Sequence, residues 1–593
     1  MKYLIYLILT LHTAIGLAND GLDHNSIITW QDDWALADDF DMTIDSGGYN
    51  LPSEIAFLDK PGEAANDPLY FILELKGALK VITNERKVYT YSENILPLPQ
   101  NPDRFDPVGA AGLCVDQKHG YVYVTFAYLD KNGVHRNGII RYENTPGRIG
   151  IEPNSSTYFL DLFKDEISDT SHQIGPCVIH NDELYIAVGF GRAKNESQNL
   201  DSTLGSIIRM SLDFKPIKDN PFYRDDNKVE ARDYIWAYGV RNVFGMKFIG
   251  NRLFVTENGG GVDKFNEIIK GENYLYDGSD WSLAAKALYL FSPAVGLVHL
   301  DKVDPNASSF PNKFKDAFFI VSSGTPGGFG PGDHGDRSII FFDYDFTENK
   351  LSSAPEHLLK FRGQSSQLPV SIEFSSDGLY FVPMLPNSEG KSYVFKITYN
   401  INNNYPNKLI NEVNPKTLIS KYGCRGCHII NGKGGGFGPN LDNNLAARLY
   451  ERLNSNKYEE KIKLLNQSEN NIEKYEELRS NVISNKGEDR VRSWLISFIQ
   501  EPSFDNNMIK MASVNANQAD SIILADYLLK QKAVSKNSVS NNKIKVFISR
   551  YLPELRYRHI IFAFFIGIFV SIIIFIISFY IKKKIISPSR IRK

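Results

Sequence analysis

Two thiols and an imidazole stand within five residues at Cys424-Arg425-Gly426-Cys427-His428. At this spacing each thiol can add to one vinyl group of a haem, and the histidine that follows at once is held beneath the porphyrin as proximal iron ligand. Half of a zinc site and a redox dithiol are the alternatives. Zinc would want further ligands, and the other two cysteines, Cys114 and Cys177, lie far upstream. The pattern therefore points to covalent haem c on Cys424 and Cys427, with His428 on the iron, and to electron transfer.

The surrounding segment must position that haem. Gly438-Pro439-Asn440-Leu441 follow a glycine-rich turn, and an apolar helix ends in Ala525-Asp526-Tyr527-Leu528-Leu529. Together with the thiol motif these resemble the small cytochrome c domain, which is all-α and carries a methionine ligand on the loop before its last helix. Met508 and Met511 both lie on that loop, and Met511 stands at the family's usual distance from Tyr527-Leu528; core packing is the alternative for either. The cytochrome region is expected over 413–533, with a charged helical insertion from Leu445 to Lys486 that is solvated or covers the haem, partner docking being the alternative.

The chain ends suggest a compartment. Lys2 precedes an apolar run from Tyr3 to Leu17 with small residues at Gly16 and Ala18, the pattern of a secretory signal over 1–18. Residues 559–581 include the apolar run Ile560 to Ile581, long enough to cross a bilayer as one helix. The tail 582–593, with Lys582-Lys583-Lys584, Arg590, Arg592 and Lys593, is more basic than the Arg556 and Arg558 side, so it should stay cytoplasmic. The expectation is a single-pass protein of a bacterial inner membrane with its bulk in the periplasm, tethered through a polar stretch over 534–558. That compartment suits thioether attachment of haem. Four cysteines are too few for a disulfide scaffold, and Cys114 and Cys177 read as buried free thiols or as one bridge.

Upstream of a linker at 401–412 the chain repeats itself. An apolar strand recurs at Leu69-Tyr70-Phe71, Val122-Tyr123-Val124, Leu184-Tyr185-Ile186, Leu253-Phe254-Val255, Phe318-Phe319-Ile320 and Leu379-Tyr380-Phe381. The interval is roughly 50 to 70 residues, and turns such as Asn66-Asp67-Pro68 and Ser376-Asp377-Gly378 precede the strands. Short strands with aromatic markers at that period predict a six-bladed β-propeller over 19–400. With 66 basic against 69 acidic residues and no basic stripe, a nucleic-acid partner is not expected.

Propellers place function at one mouth, where loops from several blades converge. Three polar clusters follow that logic: Ser171-His172-Gln173 with Gly189-Phe190-Gly191-Arg192; Arg241-Asn242 with Asn258-Gly259-Gly260 and Asp263-Lys264; and Gly332-Asp333-His334-Gly335-Asp336-Arg337. Their order along the propeller resembles the soluble glucose and sorbosone dehydrogenase family, whose cofactor is pyrroloquinoline quinone (PQQ). The resemblance implies that His172 is the general base for the sugar hydroxyl and that Arg241 and Asn242 bind the quinone. It further implies Arg337 and Arg362 as partners of the quinone carboxylates, and the carbonyls of Gly259 and Gly260 as ligands of a calcium ion. The chain departs from the family at Ser171 and Phe190, where acidic residues usually flank the base, around Pro107-Val108-Gly109, where a glutamine is usual, at Gly260 for a proline, and at Lys264 for a glutamate. His334 between Asp333 and Asp336 reads as a solvated glycine-rich loop.

Two functions fit these observations. One is a membrane-anchored quinoprotein that oxidises an aldose or related hydroxy compound and passes electrons through its own haem to a respiratory acceptor. The other is a propeller without catalysis that carries the cytochrome to a partner redox complex.

Overall fold

In the computed structural model, residues 30–530 are described except for 99–108, 165, 167–170, 194, 280–281, 284–285, 292–293, 304–308, 325–336, 410–412, 433–437, 443, 468–471, 507–510, 512–513 and 515. The expected signal segment, tether, membrane helix and basic tail lie outside these residues, as do Met508, His334 and the Pro107-Val108 dipeptide. Among the described residues no helix is long and apolar enough to cross a membrane.

The period in the sequence corresponds to six antiparallel sheets. Their innermost strands, Pro52–Phe57, Gly109–Asp116, Ile174–His180, Val243–Ile249, Leu297–Lys302 and Pro369–Ser375, contact one another in a closed ring. Each aromatic marker seen in the sequence falls on the second strand of a blade, beside that inner strand. There the markers are buried between blades: Tyr70, Phe71, Tyr123, Phe254, Phe318 and Tyr380 expose essentially no surface. Aromatic rings suit this position because their large apolar area fills the gap between neighbouring twisted sheets.

Closure uses residues from the start of the described chain. Strand Phe40–Gly47 pairs with Tyr393–Tyr399 to complete the sixth blade, and Trp34–Leu36 pairs with Glu356–Phe361 to complete the fifth. Trp34 then packs edge-on against Phe361 and Phe381, joining the two blades. Part of the expected linker belongs to this closure: Leu36 exchanges backbone bonds with Asn407 and Leu409, and the Tyr405 hydroxyl donates to Trp34 O at 3.0 Å. Cys114 and Cys177, on the inner strands of the second and third blades, form a disulfide.

Every inner strand shows a register shift against its partner near its first residues, as between Ile174 and Cys177 and between Val243 and Gly245. Such bulges bend the strand and turn side chains toward one end of the channel. His172 and the Arg241-Asn242 pair directly precede two of these strands.

The C-terminal unit is all-helical, with helices Pro415–Lys421, Cys424–Cys427, Leu445–Leu453, Asn456–Gln467, Ile472–Ser484, Gly487–Gln500 and Gln518–Leu529. Its core includes Leu418, Tyr422, Ile430, Leu453, Trp494, Phe504 and Leu524. The charged insertion does not stand free in solvent. Tyr458, Ile462 and Val482 are buried, and the Asp505 carboxylate gathers Tyr458 Oη at 2.9 Å, Lys461 Nζ at 3.0 Å and Trp494 Nε1 at 3.0 Å. The insertion thus holds the start of the loop that carries the two methionines.

Candidate functional site

Two groups of residues combine the chemistry sought in the sequence. The first is the thiol motif. Its short helix ends at Cys427, and the next residue, His428, turns into extended backbone so that its ring lies under the Gly438-Pro439 segment. His428 Nδ1 lies 2.8 Å from the Pro439 carbonyl, an acceptor that requires the proton on Nδ1 and leaves the Nε2 lone pair free. Gly438 is needed for that approach, since a Cβ there would fall 2.4 Å from His428 Cε1 and 2.6 Å from Nδ1.

The thiols fit attachment better than redox exchange. Both are unpaired, and burial pushes Cys424 up to about 11 and raises Cys427 as well. A dithiol built for exchange has a lowered thiol pKa. No group of three metal-ligating side chains converges among the described residues. A histidine with its tautomer set by a carbonyl, next to two unpaired thiols of which Cys427 is exposed and Cys424 half-buried, could hold a haem. Met511 is half-buried.

The second group lies at the propeller mouth. His172 sits in a left-handed turn, φ 63°, a conformation that non-glycine residues hold only where surroundings impose it. Its carbonyl accepts Gly191 N at 2.8 Å, and its ring stacks on Phe190 at 5.1 Å. Gly189 brings the cluster together: a Cβ there would lie 2.4 Å from His172 O and 2.7 Å from Asn242 Oδ1. Arg241 O accepts Phe190 N at 2.9 Å, and the Arg241 guanidinium lies 5.7 Å from the Phe190 ring centroid. His172, Phe190, Arg241 and Asn242, distant in sequence, therefore meet at one place.

The electrostatics are positive. Burial, with the charges of Arg241 and then Arg192, holds His172 down at about 3. Imidazole is thus neutral at pH 7, and the two arginines make a mouth suited to an anion with carboxylates, which is what PQQ would present. Arg192 belongs to the polar cluster named from the sequence but was given no role there; its place after Gly189-Phe190-Gly191, a tight turn that returns the chain to the base, gives it one. Ser171 Oγ, 3.4 Å from His172 Nδ1, is a weak substitute for an orienting carboxylate.

The other expected residues are placed differently. Arg337 donates to Ser365 O at 3.1 Å and Gln367 O at 2.6 Å and stacks on Phe361 at 4.1 Å, so its guanidinium is used in closing the fifth blade. Arg362 has an exposed side chain and a backbone N that donates to Asp33 O at 2.7 Å. At the expected calcium position, both Asp263 oxygens accept backbone N–H groups: Oδ1 from Gly259, and Oδ2 from Val295, Gly296 and Leu297. Lys264 Nζ stands 3.0 Å from Glu257, both side chains fully buried, and the Asn258 carbonyl accepts Arg241 Nη1. An Asp263 carboxylate already holding four backbone N–H groups, beside a buried ammonium, makes these side chains poor calcium ligands.

Residues 52–282 match the model of the family Glucose / Sorbosone dehydrogenase. That segment holds His172, Arg241, Asn242 and Lys264. Among curated relatives, the aldose sugar dehydrogenase YliI of Escherichia coli (strain K12) is 31% identical over 143 residues, 23% of this chain and 38% of that protein. An uncharacterized protein of Synechocystis sp. is 40% identical over 84 residues, 14% of this chain and 20% of that one. The matches thus span well under half the length of either relative. Among solved structures, the apo-form of the soluble aldose sugar dehydrogenase of Escherichia coli is 17% identical, with a TM-score of 0.48, covering 61% of this chain and 100% of that one. The PQQ-bound aldose sugar dehydrogenase of Streptomyces coelicolor is 16% identical, with a TM-score of 0.43 and the same two coverages.

Proposed function

We propose that the chain is a PQQ-dependent dehydrogenase of an aldose or related hydroxy compound, anchored in a bacterial inner membrane and facing the periplasm, that passes electrons to its own haem c and on to a respiratory acceptor. The observation that carries the reading is the cluster of neutral His172, Asn242 and the cations of Arg241 and Arg192 around Gly189, inside the segment that matches the dehydrogenase family. When bound, PQQ would supply the two-electron hydride acceptor.

The chain's own residues do the rest. Arg241 is held by Asn258 O and by the Phe190 face, which leaves its remaining N–H donors for a carboxylate. Asn242 is buried next to it and adds a neutral hydrogen-bonding group. His172 keeps a lone pair to receive the proton of a substrate hydroxyl, although with a value near 3 it is a weak base. An anion arriving beside Arg241 and Arg192 would offset their charges and raise His172 toward the useful range. Phe190 covers one face of the imidazole and limits water there.

In the helical unit Cys424 and Cys427 would hold the haem, with His428 Nε2 toward the iron and Met511 as the expected sixth ligand. Closeness of the two units supports internal electron transfer. Tyr289 of the fourth blade is pushed up to about 12 by burial and by Cys424 beside it, and Lys421 lies 3.9 Å from Glu356 of the fifth. Anchoring rests on the apolar run 560–581.

Quinone binding tests the reading. PQQ titrated into the whole protein should quench tryptophan fluorescence saturably, and Arg241→Ala should weaken binding at least tenfold, since it removes a charge-assisted pair of about 1.5 to 3 kcal/mol. No binding by a folded protein would favour a propeller that only carries the cytochrome.

A further inference from the structure

We propose that Lys264 is a built-in cation that replaces a metal ion beneath the propeller mouth, so that the turn carrying Arg241's anchor is held without calcium. The proposal concerns the quinone site described above and rests on that reading.

Glu257 and Lys264 face each other across adjacent strands of the fourth blade. Both side chains are 0% exposed, and Lys264 Nζ stands 3.0 Å from Glu257 Oε2 as a charge contact rather than an aligned hydrogen bond. The ammonium also lies 5.5 Å from the Tyr274 ring centroid, a second source of stabilisation for a buried cation. An isolated buried carboxylate would be costly, so Glu257 requires a positive partner inside the protein.

Glu257 has a further task. Its Oε1 accepts the backbone N–H of Arg241, and the next carbonyl, of Asn258, accepts the Arg241 guanidinium. The residue offered to a quinone carboxylate is thereby fixed at two points by the segment that Lys264 neutralises. Asp263, which begins the same strand, ties Gly259 to Val295, Gly296 and Leu297 through four backbone bonds, so its carboxylate already serves as the turn's organiser. A divalent ion could hold such a turn by coordinating its carbonyls and carboxylates. Here an ammonium, which cannot be extracted by chelators, supplies the charge. Lys264 is a positioning residue acting through Glu257 on Arg241.

The test uses the full-length, haem-loaded protein dialysed against EGTA. Elemental analysis should find no retained calcium. Its melting temperature should be unchanged by added calcium, and its PQQ dissociation constant should agree within about twofold in EGTA and in calcium. Retained calcium, a rise in melting temperature on adding calcium, or a tenfold gain in quinone affinity would overturn the proposal. Lys264→Glu sets two carboxylates face to face; it should melt lower in EGTA and recover when calcium is added. Equal stability of this variant and the wild type in EGTA would also overturn it. Should the variant not fold, the wild-type comparison decides. If no quinone binds under any condition, the functional reading fails while calcium content and melting still decide the role of Lys264.

Discussion

Replacing His172 by Asn isolates the electrostatics of the mouth without any cofactor. The native imidazole is held at about 3 by burial first, then by Arg241 and Arg192, against an ordinary value of 6.5. A lowered histidine pKa means that the unfolded chain binds the proton more readily, so stability is lost as pH falls below the unfolded value. At pH 8 neither state is protonated. At pH 5 the unfolded histidine is mostly charged and the native one is not, which favours unfolding by about 2 kcal/mol, somewhat less after solvent screening at a half-buried position. Asn tolerates the left-handed backbone at this position and does not titrate. Urea unfolding of the two proteins at pH 8 and pH 5 should therefore show the variant gaining about 2 kcal/mol on the wild type at the lower pH. In the same series Arg241→Met should raise the His172 titration seen by proton NMR. Identical pH slopes for wild type and His172→Asn would refute the argument that the mouth is a desolvated, positive site.

Other perturbations address the remaining parts. Glu373, on the inner strand of the sixth blade, is pushed up to about 8 by burial, with Lys247 opposing and Asp301 adding to the shift. Native Glu373 keeps a proton that the unfolded chain loses, so its contribution to stability is present below about 4.5 and disappears as pH rises through about 8. Glu373→Gln should flatten that fall in urea titrations between pH 5 and 9. Gly438→Ala drives a methyl group into the His428 ring and should break the bond to Pro439 O; the matured protein should show a roughly 10- to 100-fold weaker axial histidine ligation in its visible spectrum. Opening the Cys114–Cys177 bridge, which spans 63 residues, by Cys→Ala at both positions should cost about 4 kcal/mol in the loop-entropy picture and lower the melting temperature of the propeller.

Local signals in the sequence located much of this molecule. The Leu-Tyr-Phe type markers lie on the second strand of all six blades because that strand is buried on both faces and shows it in composition. The thiol motif was legible as a local spacing, and Gly438-Pro439 as a glycine turn, which the structure brings against His428. Pairings between distant residues left no such trace. Closure by Trp34–Leu36 and Phe40–Gly47 joins segments more than 300 residues apart, and nothing in their local pattern specifies the partner. Lys264 read as a departure from a family glutamate; only the register with Glu257 reveals a neutralised ion pair. Arg337 and Arg192 show the same limit from opposite sides. The first was given a cofactor role but bonds to the Gln367 carbonyl, and the second was named in a cluster without a role but sits by the base. The insertion's charges left its role open between a solvated pair and a haem cover; they gave no sign that Asp505 gathers Tyr458, Lys461 and Trp494.

The central claim is that a sugar oxidised in the propeller reduces the haem of the same chain. Full-length protein, matured with haem and loaded with PQQ, should be mixed with a panel of aldoses while the haem absorption is followed. The account expects ferric haem to become ferrous with at least one sugar, only when the quinone is present, and at a rate that collapses in His172→Ala. A haem that remains ferric with every sugar, in a protein that binds PQQ and whose haem is reduced normally by dithionite, would contradict it.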